Sequence, residues 1–379
     1  MEFEVDPADE DLRAEARAWL AEHVPHAAGR RSWERTLGAA GWVGIGWGEG
    51  GYGNRVASLG GQVAWAEEYV LSGAPGRCGH IGENLLAPTL LAHGTREQKE
   101  RFLPPIAAGE ELWCQGYSEP EAGSDLAGVR TRGEPQPGGT YRVTGQKIWT
   151  SLARDADWCF VLARTDPGSR RHHGLSFLLV PMDQPGRIEV RPIRQMTGTS
   201  DFNEVFFDGA RAEQRVGAEG DGWRVAMSLL GFERGVSTLA QQIGFAEELR
   251  QVVRTAVANR TAADPVVRDR LVELWGELRA MRWNALRTLG SSPSPGAPSV
   301  AKLLWGGWHQ RLGEVAVRVR GAGAGVGPVD WSAAAPYELD DVQHLFLFSR
   351  ADTIYGGSDQ IQRTIIAERV LGLPRQPRQ

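Results

Sequence analysis

The stretch of this chain with the densest chemistry is WCQGYSEPEAGSDLAG, residues 113–128. A short apolar run there enters a turn carrying Ser118, Pro120, Gly123, Ser124 and Asp125. Hydroxyls and closely spaced backbone N–H groups in such a loop suit a flavin edge or a pyrophosphate, although a decorated turn uses the same residue types. A second group follows in GQKIWTS, which places Trp149, Thr150 and Ser151 on a predicted strand. A third, IYGGSDQIQRTIIAERVLG, lies near the C-terminus. Between them Glu233 stands after Phe232 in GFERGV, beside an apolar helical run. A carboxylate is out of place there unless it is used or paired, and Arg234 is the obvious partner for a plain ion pair.

Other motifs carry no chemistry. GWGEGG at 46–51 matches G-x-G-x-x-G, but helical patterns flank it and no βαβ unit of ~30 residues surrounds it, so it reads as a tight loop. GAGAGVGP at 321–328 is a loop for the same reason. His172 and His173 are adjacent, without metal-ligand spacing, and read as a solvated loop. Cys78, Cys114 and Cys159 form no C-x-x-C pair, so neither a disulfide framework nor a thiolate zinc site is indicated and no metal is expected. No G-x-S-x-G elbow is present, which removes support for serine hydrolase chemistry.

The elements that must position these residues follow from periodicity. Residues 1–113 read as helices joined by glycine-rich loops, with DLRAEARAWLAEHV and VASLGGQVAWAEEYVL spacing apolar residues by three and four. GTREQKERFLPPIAAG adds a helix that its proline pair breaks or bends. From 114 to about 220 short runs rich in Val, Ile, Phe, Trp and Thr alternate with turns: YRVTGQKIWT, DWCFVLART, GLSFLLVPM, RIEVRPI and NEVFFDGARA. These predict a β-barrel or sandwich. From 221 to 379 long amphipathic helices return, joined by short loops and by the flexible linker SSPSPGAPS, which describes a bundle. The last helix breaks at Gly356 and Gly357.

Composition sets the frame. The chain has 379 residues, 41% hydrophobic and 23% charged, with a net charge of -5. That balance points to neither nucleic acid nor a membrane surface as partner. The acidic, helical start MEFEVDPADEDLRAEARAWL does not read as a signal peptide, and no run approaches about 18 apolar residues, so a reducing, cytoplasmic setting is expected. Fourteen tryptophans read as large apolar bodies filling helix interfaces.

Taken together and in this order, the three motifs resemble the acyl-CoA dehydrogenase family from about residue 8 to 374. In that family they read as T/S-E-P-x-A-G-S-D, K-x-W-[IT]-[TS] and Y-[EG]-G-[TS]-x-x-I-Q-R. The resemblance implies an α+β multidomain fold: an N-terminal helical domain, a middle β-barrel and a C-terminal four-helix bundle, with FAD between barrel and bundle. It implies self-association as a dimer or tetramer. It also implies that Gln115, Tyr117, Ser118 and Gly123 line the flavin, that Trp149 packs against it with Thr150 and Ser151 alongside, and that Arg260, Ser358 and Gln360 serve the rest of FAD. Ser124, Arg234 and Tyr355 are assigned to the substrate.

Removing the α-proton of a thioester requires a carboxylate in a dry pocket, its pKa raised by desolvation. Many family members carry that glutamate directly after the tyrosine of the third motif, where this chain has Gly356. A minority carry it on a bundle helix, and the matching residue here is Glu233. The implied reaction is α,β-dehydrogenation of an acyl-CoA to the trans-2-enoyl thioester. Glu233 is the base, Gly356 N–H polarises the carbonyl, and an electron-transfer flavoprotein reoxidises the flavin. Two departures touch the FAD contacts between subunits. The family's bundle R-x-x-F-G is Arg260-Thr261-Ala262-Ala263-Asp264, without its aromatic, and Arg318 stands where a glutamine is usual. Three alternatives stay open: a monooxygenase or oxidase on the same fold, one subunit of a hetero-oligomer, and a dehydrogenase of acyl groups held on a carrier protein.

Overall fold

The computed structural model describes residues 6–232, 236–289, 296–327 and 338–374. They divide into two compact units, 1–193 with 200–237, and 194–199 with 238–379.

The first unit opens with five helices, α1 (Pro7–His23), α2 (Arg30–Ala39), α3 (Leu59–Leu71), α4 (Ala87–His93) and α5 (Arg96–Ala107). Local signals start them. Asp6 caps α1 with Pro7 at the first turn, and Thr95 and Gln98 form a reciprocal capping box on α5. Pro104 and Pro105 do not break α5 midway but sit in its last turn, where few intrahelical bonds remain to be lost. Residues 46–51 form the loop that flanking helical patterns predict.

The strands are β1 (Trp113–Gly116), β2 (Arg132–Pro135), β3 (Tyr141–Ser151), β4 (Trp158–Arg164), β5 (Leu175–Pro181), β6 (Ile188–Ile193), β7 (Phe202–Ala212) and β8 (Gln214–Val216). They form one sheet in the order β6-β7-β3-β2-β4-β5-β8, with β1 added to β4 in parallel. Alternation along β4 divides two cores. Cys159, Val161 and Ala163 join Cys114, Val143, Leu178, Val180, Val205 and Phe207 on the inner face of the sheet. Trp158, Phe160 and Leu162 face the other way, against Phe102, Leu103 and Ile106 of α5 and Val225, Ala226 and Leu229 of α6 (Gly222–Phe232). Each large side chain buried this way contributes about 1.5–3 kcal/mol, so β4 is the shared wall of both cores.

The second unit is helical: α7 (Val236–Ala258), α8 (Pro265–Leu289), α9 (Ala297–Arg320), α10 (Asp341–Phe348) and α11 (Asp359–Ile365). Residues at three- and four-residue spacing from α7, α8, α9 and α10 form its core, including Leu249, Val252, Leu271, Leu274, Leu278, Trp308, Leu312 and Val319. α9 begins at Ala297, with Pro298 in its first turn, so the last residues of the predicted linker are helical. Residues 321–325 form a short 3-10 turn where a loop is expected. Among the described residues no helix is long and apolar enough to cross a membrane. The tryptophans are mixed: Trp33, Trp42, Trp113 and Trp308 are fully buried, whereas Trp149, Trp275 and Trp283 are exposed.

Candidate functional site

The first two motifs meet at one end of the sheet. β1 carries Gln115 alongside β4 and delivers Tyr117, which is buried against Phe160 and Phe177. After a loop and β2 the chain returns as β3, where Ile148 N–H donates to the Ser118 carbonyl at 2.9 Å. Ser118 is thereby set beside the segment of β3 that leads into Trp149, Thr150 and Ser151.

Two residues that the sequence reading passed over hold this junction. Lys147 is fully buried, and its ammonium donates to the carbonyls of Tyr117 (2.9 Å) and Leu162 (2.8 Å) and to Glu119 Oε1 (2.9 Å). The Glu119 carboxylate also accepts from the backbone N–H of Arg130 (2.6 Å) and Thr131 (2.8 Å), closing the 119–131 loop on itself. Burial pushes the Glu119 carboxyl up, but Lys147 and those N–H groups outweigh it and its pKa is lowered. Burial likewise lowers the pKa of Lys147 despite the attraction of Glu119. The signal for this pair is in the motifs themselves, S-E-P and K-x-W, each with an ionisable residue where the chain is otherwise heading inward.

β3 bulges at Trp149. Lys147 pairs with Val205 and Thr150 with Asn203, so Ile148 and Trp149 together oppose Glu204. Trp149 takes a left-handed backbone, φ 61°, and so does Leu152, φ 60°. A bulky residue in that region is strained, and such strain concentrates at functional positions. The bulge turns the indole outward, 55% exposed, edge-on to Phe202 at 6.2 Å. Thr150 is fully buried, and its hydroxyl finds no hydrogen-bond partner among the described residues. An outward indole and an unspent hydroxyl fit a flat ring with polar edges, which is the chemistry of a flavin. Gly123 and Ser124 are exposed at the loop tip, and a Cβ at Gly123 would meet no protein atom.

The third motif lies in the second unit. Gly356 and Gly357 have φ 62° and 83°, a pair that forms a tight turn unavailable to most side chains. Gln362, buried on α11, donates to the carbonyls of both, at 3.1 and 3.2 Å. Ser358 caps α11 through Ile361 N–H, and Gln360 is exposed on that helix. Tyr355 donates its hydroxyl to Asp352 Oδ1 at 2.6 Å. Arg260 lies elsewhere, with φ 65° in the connection between α7 and α8, and Arg318 pairs with Asp264 of that connection at 3.6 Å. Glu233 and Arg234 lie outside the described residues. No group of three or more metal-ligating side chains gathers among the described residues.

Comparison with known proteins agrees with this architecture. The acyl-CoA dehydrogenase family models match in three parts: the N-terminal domain at residues 6–110, the middle domain at 114–210 and the C-terminal domain at 220–371. The chain is 52% identical to acyl-CoA dehydrogenase IpdE1 of Mycobacterium tuberculosis, covering 97% of this chain and 98% of that protein. It is 51% identical to IpdE1 of Mycolicibacterium smegmatis over the same shares. Among solved structures, the Tcur3481-Tcur3483 steroid ACAD superposes with a TM-score of 0.86 at 27% identity, covering 99% of this chain and 100% of that one. The ChsE4-ChsE5 complex from Mycobacterium tuberculosis superposes at 0.83 with 31% identity, again over 99% and 100%. With full-length identity above one half and the motifs built into one sheet end and one glycine turn, the chain belongs to the acyl-CoA dehydrogenase family and is an enzyme of that class.

Proposed function

We propose that this enzyme uses FAD to dehydrogenate an acyl-CoA between its α and β carbons, giving the trans-2-enoyl thioester. The observation that carries the cofactor assignment is the strained Trp149 bulge beside the unpartnered Thr150 hydroxyl, tied to Tyr117 through Lys147 and to Ser118 through the Ile148 N–H. Gln115, Tyr117, Ser118, Gly123, Trp149, Thr150 and Ser151 would hold the flavin ring, and Arg260, Ser358 and Gln360 the remainder of FAD. When bound, FAD supplies the hydride acceptor and an electron-transfer flavoprotein then takes its electrons.

The chain's own contribution is a base, a polarising donor and a substrate cradle. Glu233 accepts the α-proton, and the Gly356 N–H stabilises the negative charge that builds on the thioester oxygen. Ser124, Arg234 and Tyr355 contact the substrate. The division into an N-terminal helical domain (1–113), a middle domain (114–220) and a C-terminal bundle (221–379) belongs to the same reading.

Anaerobic mixing of the purified protein with a panel of acyl-CoAs, ring-bearing acyl groups included, tests it. Flavin bleaching by some members, lost in Glu233→Gln with flavin still bound, is the expected result. A yellow protein that no acyl-CoA bleaches would sink the substrate assignment and favour a carrier-bound acyl group or oxygen chemistry.

A second reading has its own support. The ChsE4-ChsE5 and Tcur3481-Tcur3483 neighbours are each described as a pair of different chains, and the Arg260 segment lacks its family aromatic. Those features favour a hetero-oligomer in which a second chain completes FAD binding, with a steroid-derived acyl group as substrate. Expression alone then yields protein without flavin, and co-expression with the partner restores it.

A further inference from the structure

The second unit holds four ionisable side chains that the proposed reaction does not use: Lys302, His309 and Asp352 are buried, and Glu248 is partly exposed. His309 on α9 is 6% exposed and lies between two carboxylates. Its Nε2 is 2.9 Å from Glu248 Oε2 on α7, and its Nδ1 is 2.5 Å from Asp352 Oδ2. Because both ring nitrogens face carboxylates, both carry protons and the ring is an imidazolium. Asp352, 1% exposed, spends its other oxygen on the Tyr355 hydroxyl. Lys302 donates to the Asp352 backbone carbonyl, with its ammonium 3.8 Å from the Trp305 ring centre and 4.6 Å from that of Tyr355. Two carboxylates and two cations make the cluster neutral.

Burying His309, Asp352 and Lys302 together is an expensive way to fill a helical core, since apolar side chains of similar size often leave a protein as stable or more so. What apolar residues cannot do is grip a hydroxyl. The chain of contacts from Glu248 through His309 and Asp352 ends on Tyr355, the residue directly before Gly356. Gln362 holds the carbonyl side of the same turn.

We propose that Glu248, His309 and Asp352 are positioning residues that set the Tyr355–Gly356–Gly357 turn through the Tyr355 hydroxyl, and so aim the Gly356 N–H. The catalytic half of this rests on the reading that Gly356 N–H polarises the thioester.

Charge on His309 is the control point. Burial opposes it, but Asp352 and Glu248 prevail and raise its pKa to about 9. The sign follows: the relay is complete below the ordinary value of 6.5 and is released as pH rises through about 9. The charged groups facing it are Glu248 from α7, Asp352 and Tyr355 from the C-terminal turn, and Lys302 from its own helix. Arg311, two residues on and so on the opposite face of α9, is paired with Glu277 of α8. Burial lowers Lys302 to about 8, so its titration is separate and persists when His309 is removed.

The test uses the whole flavin-loaded enzyme with Tyr355→Phe, His309→Gln and Asp352→Asn. Amide exchange over residues 354–358 is expected to quicken in all three, and this readout needs no turnover. With a substrate that bleaches the flavin, kcat falls about tenfold while KM holds in His309→Gln and Asp352→Asn, neither of which touches the substrate. The parent is expected to lose kcat as pH rises through about 9, and that decline is expected to be absent in Tyr355→Phe and His309→Gln. Unchanged exchange at the turn overturns the relay itself. Faster exchange with unchanged kcat and pH profile overturns its role in the reaction. A parent enzyme that dehydrogenates no acyl-CoA, with the exchange effect intact, overturns the functional reading and leaves the relay standing.

Discussion

Lys147 and Glu119, on different motifs, form a buried ion pair of 2.9 Å in which the ammonium has three acceptors and the carboxylate three donors. Saturation is what makes the pair tolerable. An unpaired charge in the same place costs several kcal/mol, and a paired one with spare valences still costs more than it returns. The pair also does topological work, because it ties the loop after β1 to the strand that carries Trp149.

The first prediction concerns that pair. Lys147→Met should lower unfolding stability by about 3–5 kcal/mol, because Glu119 is left buried and alone. Adding Glu119→Gln should recover part of the loss, so the double variant is less damaged than the sum of the singles. The folded carboxyl of Glu119 sits below its ordinary 4.5. Its contribution is therefore complete above that value and lost as pH falls through the lower folded one. Urea unfolding from pH 7 to pH 3 checks both points, and Glu119→Gln should flatten the acid side of the curve. Additive single and double effects would remove the coupling claimed here.

Trp149 gives a prediction in which stability and binding part company. Trp149→Gly relieves a left-handed strain of about 1 kcal/mol and forfeits an edge-on contact with Phe202 of similar size. Unfolding of the flavin-free protein should therefore change little. Flavin affinity should drop by more than tenfold, since the exposed indole is the flat surface on offer. Melting of the apoprotein and titration with FAD, followed by flavin fluorescence, separate the two. Affinity equal to the parent would mean that the bulge serves some other purpose.

How far the sequence carried depended on whether a feature was local. Strands β3, β4, β5, β6 and β7 were legible because each has its own alternation and its own turn, and α5 because Thr95 and Gln98 cap it. The parallel pairing of β1 with β4 was not, since their residues are separated by more than forty positions and nothing in either run names the other. The same holds at the site. Trp149 and Thr150 stood out by type, but the bulge that turns one outward and the other inward is a register event between β3 and β7. Lys147, Glu119, His309 and Asp352 looked like ordinary charged residues because burial and partnership are tertiary properties. For Lys147 and Glu119 the motifs held the only hint, and His309 and Asp352 lie outside any motif.

Two glycines of α6 should behave in opposite ways. A Cβ at Gly222 would lie 2.5 Å from the Ser176 backbone on β5, whereas one at Gly231 would meet nothing within 4 Å. Gly222→Ala must therefore push the start of α6 off the sheet, at a cost of about 1–3 kcal/mol or more. Gly231→Ala should be neutral or stabilising by up to about 1 kcal/mol through helix propensity. The described part of α6 runs to Phe232, directly before Glu233 in the sequence, so the first change should also reduce flavin bleaching and the second should not. Thermal melts and single-turnover bleaching of both variants decide it, and a Gly222→Ala protein of parental stability would contradict the packing argument.

The last prediction asks whether the two base positions are interchangeable. Glu233→Gln should lower the bleaching rate about 10²–10⁴-fold with flavin retained, the usual range for losing a general base. Moving the carboxylate to the other position, as Glu233→Gln with Gly356→Glu, should not restore it. Gly356 has φ 62°, so any side chain there is strained. A Cβ would also lie 3.7 Å from Lys302 Cε. A glutamate growing from that point falls beside a buried ammonium, and an adjacent cation lowers a carboxyl pKa when abstraction of an α-proton needs it raised. Adding Lys302→Met to that double variant removes the cation and should return part of the rate. Recovery without the lysine change would show that Lys302 does not govern the site. No recovery in either would leave the backbone at Gly356 as the barrier.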